Sequence, residues 1–122
     1  MRSKSLFILC FSLIILEITA RKPEIDPFKP VFNVEQNESF QLMCGILKGT
    51  KPIKFEWFKN GRKILDYAGI SIDQKASSSI LFFDNILITH SGNYSCRAHN
   101  SDGSDQSTTF LQVKGQFFKR LI

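Results

Sequence analysis

The sequence contains little of the side-chain chemistry that enzymes and metal sites use. Its 122 residues include two histidines and three cysteines. Neither His90 nor His99 belongs to a set of residues whose pattern suggests a catalytic triad or a metal site. We therefore expect no catalytic residues, no metal ion and no other cofactor, and we predict that the protein is not an enzyme.

Long apolar runs are also scarce. Leu6 to Leu16 forms one, behind a basic start and ahead of the small residue Ala20. This order is typical of a secretory signal peptide, and we predict one over residues 1–20, with cleavage after Ala20. The run is short for a membrane span, so an uncleaved signal anchor is the less favoured alternative. No later stretch is apolar enough to cross a bilayer, and we expect no transmembrane segment there.

Charged residues form no long run of one sign, although the formal net charge is +5. Several lysines and Arg62 are spread along the middle of the chain. This spread is typical of a solvated basic surface, with acidic glycans as an alternative ligand. For a chain that carries a secretory signal, we expect no nucleic-acid partner.

Cysteine is scarce enough for its pairing to be informative. Cleavage after Ala20 would remove Cys10 and leave Cys44 and Cys96. An even number of cysteines in an oxidising compartment favours a disulfide over a metal or redox site. On the loop-closure model, a crosslink over this length would stabilise the fold by about 4 kcal/mol.

Strand signals dominate the mature sequence. Apolar residues recur at every second position over 40–44, 81–83 and 94–98, and turn-forming residues separate these stretches. Asn60-Gly61 is a two-residue hairpin signal. The three prolines from Pro23 to Pro30 allow only an edge strand or an irregular lead-in. About seven or eight short strands without a helical stretch predict an all-β sandwich.

The stretch HSGNYSC at residues 90–96 places Tyr94 and Cys96 on one face of a strand. We expect Cys96 to face inward because Cys44 lies opposite to it in the sandwich. The Tyr94 hydroxyl is expected to return to a backbone group near His90, an arrangement known as a tyrosine corner.

Trp57 completes this pattern. It follows Cys44 by thirteen residues, so its ring is expected to pack against the disulfide. Cysteine, tryptophan, tyrosine and cysteine at these spacings predict an immunoglobulin-like fold. The predicted core residues are Trp57, Leu81, Phe83 and Tyr94.

Three stretches resemble immunoglobulin domains of the I-set: LMCGILKGTKPIKFEWFKNGRKI, SILFFDNILITHSGNYSCRAHNSDG and the ending FLQVK. PEIDPF at 23–28, together with HSGNYSC, is similar to domains of the Dscam (Down syndrome cell adhesion molecule) family, especially to arthropod forms. The resemblance implies an I-set, two-sheet Greek-key β-sandwich with one inter-sheet disulfide, Cys44–Cys96. It places the immunoglobulin domain over 21–114 and makes 115–122 a tail or a truncated linker.

The resemblance also implies a function in cell adhesion and cell–cell recognition, by homophilic binding, in neuronal self-recognition or in immunity. The expected partner is a protein, either a second copy or another cell-surface immunoglobulin-superfamily protein. The chain would then be secreted, or lie at the plasma membrane surface as part of an anchored receptor. The alternatives are a secreted soluble binder or immune decoy, and a fragment of a longer multi-domain adhesion receptor.

Two features depart from the family pattern. Many I-set domains have an aspartate at the position of His90, paired with an arginine, and this ion pair is missing here. Family members are also long chains with many domains and a membrane anchor, whereas this sequence ends eight residues after Lys114. The second departure keeps the fragment alternative open.

Two sequons fit the pattern Asn-x-Ser/Thr of N-glycosylation in secreted chains. Asn37 lies in a turn before a predicted strand, where a glycan would be tolerated. Asn93 precedes the inward Tyr94, so it would point out from its sheet and crowd that face with a glycan. The alternative is that Asn93 stays unmodified because it lies within a rigid strand.

Outward positions follow from the same alternation. Met43, Ile80 and Phe82 are expected to point outward on neighbouring strands. Small soluble domains seldom expose such a cluster without use, so we predict a binding face there, buried in a weak two-fold homodimer. The alternatives are that the N-terminal segment covers the cluster, or that the register slips by one residue. An outward Phe58 keeps the opposite face as a second candidate.

Overall fold

The computed structural model describes residues 20–65 and 69–115. Apart from Ala20, the predicted signal peptide lies outside the described residues, as does the predicted tail beyond Gly115. The described part consists of strands, their connections and one turn of 3₁₀ helix at Ile88–His90.

The strands of the described part number nine. In chain order they are β1 Glu24–Ile25, β2 Val31–Glu35, β3 Phe40–Lys48, β4 Lys54–Lys59, β5 Arg62–Lys63, β6 Ile70–Gln74, β7 Ser78–Phe83, β8 Gly92–Asn100 and β9 Gly103–Lys114. They form a first sheet of order β1-β3-β7-β6 and a second sheet of order β2-β9-β8-β4-β5. β2 runs parallel to β9, and the other pairs are antiparallel. The predicted all-β, two-sheet sandwich is confirmed.

Side-chain alternation explains why these segments form half-buried strands. On β7, Leu81 and Phe83 are buried, and Phe82 between them is half-buried. On β8, Tyr94 and Cys96 are buried, and Asn93 is exposed. Because successive side chains of a strand point to opposite faces, β7 and β8 each bury one row against the other sheet and turn the other row outward.

The disulfide lies at the centre of the core. Cys44 on β3 and Cys96 on β8 are bonded at an S–S distance of 2.09 Å, and neither is exposed to solvent. The disulfide therefore joins the two sheets, as predicted. The predicted core residues surround it and are each at most 1% exposed: Trp57, Leu81, Phe83 and Tyr94.

Two contacts fix the indole of Trp57. Its Nε1 donates a hydrogen bond of 2.8 Å to Oγ of Ser79, a buried residue on β7. Its ring stacks on Phe28, with ring centroids 6.0 Å apart. The single polar group of the indole is therefore satisfied inside the core, which removes the cost of burying an unpaired N–H.

The tyrosine corner forms as predicted at the end of the sandwich near residue 90. The Tyr94 hydroxyl donates a hydrogen bond of 2.5 Å to the carbonyl oxygen of His90. Nearby, a Cβ on Gly92 would lie 2.9 Å from Oδ1 of Asn60, closer than two such atoms can pack. Asn60 Oδ1 accepts the backbone N–H of Asn93 at 2.9 Å, so glycine at 92 gives the hairpin room to tie β4 to β8.

The N-terminal segment crosses from one sheet to the other. β1 is an edge strand of the first sheet, which confirms the edge assignment made from the prolines. The backbone N–H of Ile25 then donates to Oδ2 of Asp105 at 2.8 Å, and that of Phe28 donates to Oγ of Ser107 at 3.0 Å. The segment thus runs along the side of the sandwich between β3 and β9, and does not cover the outer face of the first sheet.

Candidate binding surface

The outer face of the first sheet is formed by alternate residues of its strands. β3 contributes Gln41, Met43, Gly45 and Leu47, β7 contributes Ser78, Ile80 and Phe82, and β6 contributes Ser71 and Asp73. Met43 is 60% exposed and lies directly opposite the half-buried Ile80. The register therefore turns the three residues of the predicted binding face outward, and the register-slip alternative does not hold.

Leu47 extends this group and was missed by the sequence reasoning. It is 57% exposed and lies four residues beyond Met43 on the same strand. The alternation that singled out Met43 also selects Leu47, but Gly45 between them interrupts the apolar row. Met43, Leu47, Ile80 and Phe82 are called the apolar cluster below.

Charge is nearly absent from the middle of this face. Around the apolar cluster, β3 and β7 present only uncharged outward residues: Gln41, Gly45 and Ser78. Asp73, opposite Ile80 on β6, brings a carboxylate to the margin. An uncharged, partly aromatic centre is characteristic of protein interfaces.

The outer face of the second sheet is polar by contrast. Glu56 on β4 lies 3.3 Å from Nζ of Lys63 and 3.5 Å from Nε2 of His99, which ties three strands together. Ser95 and Thr108 share a hydroxyl–hydroxyl hydrogen bond of 2.8 Å across β8 and β9. This face also holds Phe58, the second candidate from the sequence, which is half-buried in register with Ser95 rather than protruding alone.

His90 takes part in a hydrogen-bonded corner where many I-set domains have an ion pair. Its Nδ1 accepts a hydrogen bond of 2.8 Å from the backbone N–H of Leu87. Its ring packs edge-to-face against that of Phe83, with ring centroids 5.1 Å apart. Lys59 donates from Nζ to the carbonyl oxygen of Thr89 at 2.6 Å. Burial lowers the pKa of His90 below its ordinary value of 6.5, and the nearby charge of Lys59 lowers it further.

We expect protonation of His90 to lower the free energy of unfolding in mild acid. Because the pKa of His90 is lower in the folded protein than its ordinary 6.5, the unfolded chain takes up the proton first. The stabilisation is therefore complete above pH 6.5 and is lost as the pH falls through the lowered folded-state pKa. Protonation also removes the acceptor that holds the Leu87 N–H. Urea unfolding from about pH 8 to pH 5 measures the slope of the free energy of unfolding against pH.

His90→Asn is the matched control for this slope. Its side-chain oxygen can accept the same N–H without titrating, so the variant should keep most of its stability near neutral pH and lose stability less steeply below it. The other ionisable groups are common to both proteins and cancel in the difference. Equal slopes for the two proteins would contradict the role assigned to His90.

Within the described ranges, no three side chains of the metal-ligating types come together. The same ranges contain no helix that is long and apolar enough to cross a membrane.

Residues 23–113 match the immunoglobulin I-set domain. The chain belongs to the immunoglobulin I-set family. Its I-set domain is 32% identical over 93 residues to the cell adhesion molecule Dscam2 of Drosophila melanogaster. That alignment covers 75% of this chain but 4% of Dscam2, so the chain spans a small part of this relative.

Two solved structures superpose well on the domain. The Ig7 domain of Dscam1, isoform 5, is 31% identical with a TM-score of 0.69, over 76% of this chain and 97% of that one. The I-band fragment I67–I69 from titin is 32% identical with a TM-score of 0.70, over 77% and 33% of the two chains. The resemblance to I-set and Dscam domains is thereby confirmed. I-set domains are typically non-enzymatic binding domains, and the function of each one lies in its surface.

Proposed function

We propose that the chain is an extracellular adhesion-type recognition module that binds a second copy of itself through the outer face of the first sheet. The observation that carries this proposal is the uncharged apolar cluster on that face, in which Ile80 and Phe82 are half-buried. Met43 and Leu47 are 60% and 57% exposed, although both are apolar. The similarity to the cell adhesion molecule Dscam2 supports a role in adhesion at the cell surface.

Self-association suits this face because a two-fold interface brings one patch against its own copy. When two such faces meet, each apolar cluster can cover the other. Since β3 and β7 carry no outward charge near the cluster, the contact brings no like charges together at its centre. Burial of apolar area supplies about 25 cal/mol per Å², most of which is offset by the entropy of association. We therefore expect a weak dimer.

The test is sedimentation of the secreted protein over a wide range of concentrations. Met43→Glu should weaken the dimer at least about 100-fold, because each interface would then bury two unpaired carboxylates. Met43 is exposed, so the variant should fold and its unfolding midpoint should stay close to that of the parent.

Ile88→Glu provides the matched control. Ile88 is an apolar residue of similar exposure, 53%, but it lies on the 3₁₀ turn and not on the sheet face. This variant should dimerise like the parent protein. A parent that is monomeric at every concentration, or a control that dissociates as fully as Met43→Glu, would overturn the proposed homodimer.

The small share of Dscam2 that aligns with this chain favours a second candidate function. Because the alignment covers 4% of Dscam2, the domain is also suited to act as one unit of a longer adhesion receptor, where several weak contacts add up. A secreted soluble binder or immune decoy is the other possibility. Sequencing the 3′ end of the transcript separates these two candidates.

A further inference from the structure

An apolar row crosses the outer face of the second sheet and ends at a sequon. Val31 on β2 lies in register with Phe110 on β9, and Phe110 lies in register with Asn93 on β8. Val31 is 41% exposed and Phe110 is 39% exposed. Asn93 is itself exposed and begins the sequence Asn-Tyr-Ser.

We propose that Asn93 carries an N-linked glycan whose first sugar lies on the ring of Phe110. Side chains directly opposite each other on antiparallel strands have Cβ atoms about 4.5–5.5 Å apart. The first N-acetylglucosamine of a glycan therefore begins beside the Phe110 ring. The C–H groups of one face of a pyranose pack well on an aromatic ring. The sugar then covers the apolar surface that Phe110 exposes, and its hydroxyl groups stay in water.

The state of Ser95 indicates when the sugar must be added. This serine completes the sequon, and its hydroxyl is hydrogen-bonded to Thr108 at 2.8 Å in the folded sheet. Asn93 is also fixed through its backbone, since its N–H and C=O are both bonded to Asn60. The folded strand is therefore a poor acceptor, and the glycan is attached before β8 pairs with β9.

The other sequon differs in its surroundings and serves as a comparison. Asn37 lies in the turn after β2 with a φ of 72°, a left-handed conformation that asparagine tolerates. The end of β2 at Glu35 pairs with Lys114, four residues along β9 from Phe110. A glycan on Asn37 therefore starts at the end of the sandwich and not beside Phe110.

This inference rests on the proposed extracellular function. It adds which of the two outer sheet faces stays open to a partner. A glycan on Asn93 occupies the outer face of the second sheet, around Phe110, and hinders a protein from docking there. The outer face of the first sheet carries no sequon. The glycan thus leaves the apolar cluster as the surface that is open to a second copy.

Occupancy is tested by expressing the full chain in insect secretory cells and measuring the intact mass before and after peptide-N-glycosidase F. Asn93→Gln should lower the mass by one glycan, and Ser95→Thr should keep that glycan. A secreted protein glycosylated at Asn37 but unmodified at Asn93 would overturn this inference alone. Failure of the chain to enter the secretory pathway would overturn the proposed extracellular function as well.

Packing of the sugar on the ring is tested by a double-mutant cycle. Phe110→Ser should lower the unfolding midpoint by about 3 °C more when Asn93 carries its glycan than in the Asn93→Gln background. Asn37→Gln in place of Asn93→Gln should show no such coupling. If the effects of Phe110→Ser and Asn93→Gln simply add, the glycan does not lie on Phe110 and the proposed packing is wrong.

Discussion

Replacing Cys44 and Cys96 together with alanine should lower the free energy of unfolding by about 4 kcal/mol. The two residues are 52 positions apart, so the bond closes a long loop and removes many conformations from the unfolded chain. Both sulfur atoms are buried, and alanine introduces no polar group into the core. Denaturant unfolding at neutral pH measures the loss.

Reduction of the parent protein is the control for this effect. With dithiothreitol present, the parent should approach the stability of the alanine variant, since both then lack the crosslink. Given that small domains are stable by only about 5–15 kcal/mol, the variant should unfold at much lower denaturant concentration. A loss below about 1 kcal/mol would contradict the role given to the disulfide and would indicate that the unfolded chain is already compact.

Trp57→Ala should lower the free energy of unfolding by about 3–5 kcal/mol, the range seen when a large aromatic side chain is removed from a core. The indole is 1% exposed and contacts Phe28, so its removal leaves a cavity and an unsupported ring beside it. The Ser79 hydroxyl also loses its partner inside the core. Denaturant unfolding, monitored by circular dichroism because the only tryptophan is gone, gives the change.

Two further variants separate the parts of this cost. Trp57→Phe keeps most of the ring volume and should lose less stability than Trp57→Ala. Ser79→Ala keeps the indole but leaves its N–H buried without a partner, at a cost of about 1–3 kcal/mol. If Ser79→Ala were neutral, the hydrogen bond from Trp57 to Ser79 would not be what positions the ring.

Much of the fold is predictable because strands repeat every two residues. The inward row of β8 follows from HSGNYSC alone. On β3 and β7, the residues that alternate with the buried ones point outward, and these include Met43, Ile80 and Phe82. The disulfide needed only a count of cysteines and the expectation of an oxidising compartment. These inferences depend on local pattern and composition, and the sequence contains both.

The contacts of the N-terminal segment could not be predicted in the same way. Ile25 donates to Asp105, which is 80 positions away, and Phe28 stacks on Trp57. No periodic pattern links residues so far apart, because the link depends on where the segment crosses between sheets. The acceptor role of His90 was likewise hidden, since comparison with the family pattern indicates only that an ion pair is missing.

The parallel pairing of β2 with β9 has a mechanical consequence. Arg21 is held beside Asn100 and Thr50 near the start of β9, whereas Lys114 is at its far end. A tension applied between these two points would pull β2 and β9 in opposite directions along their common axis. The hydrogen bonds of five paired positions, Val31 to Glu35, would then bear the load together in shear instead of opening one after another. Bonds loaded in this way break together, so extension along β9 needs a larger force than peeling the same bonds apart would.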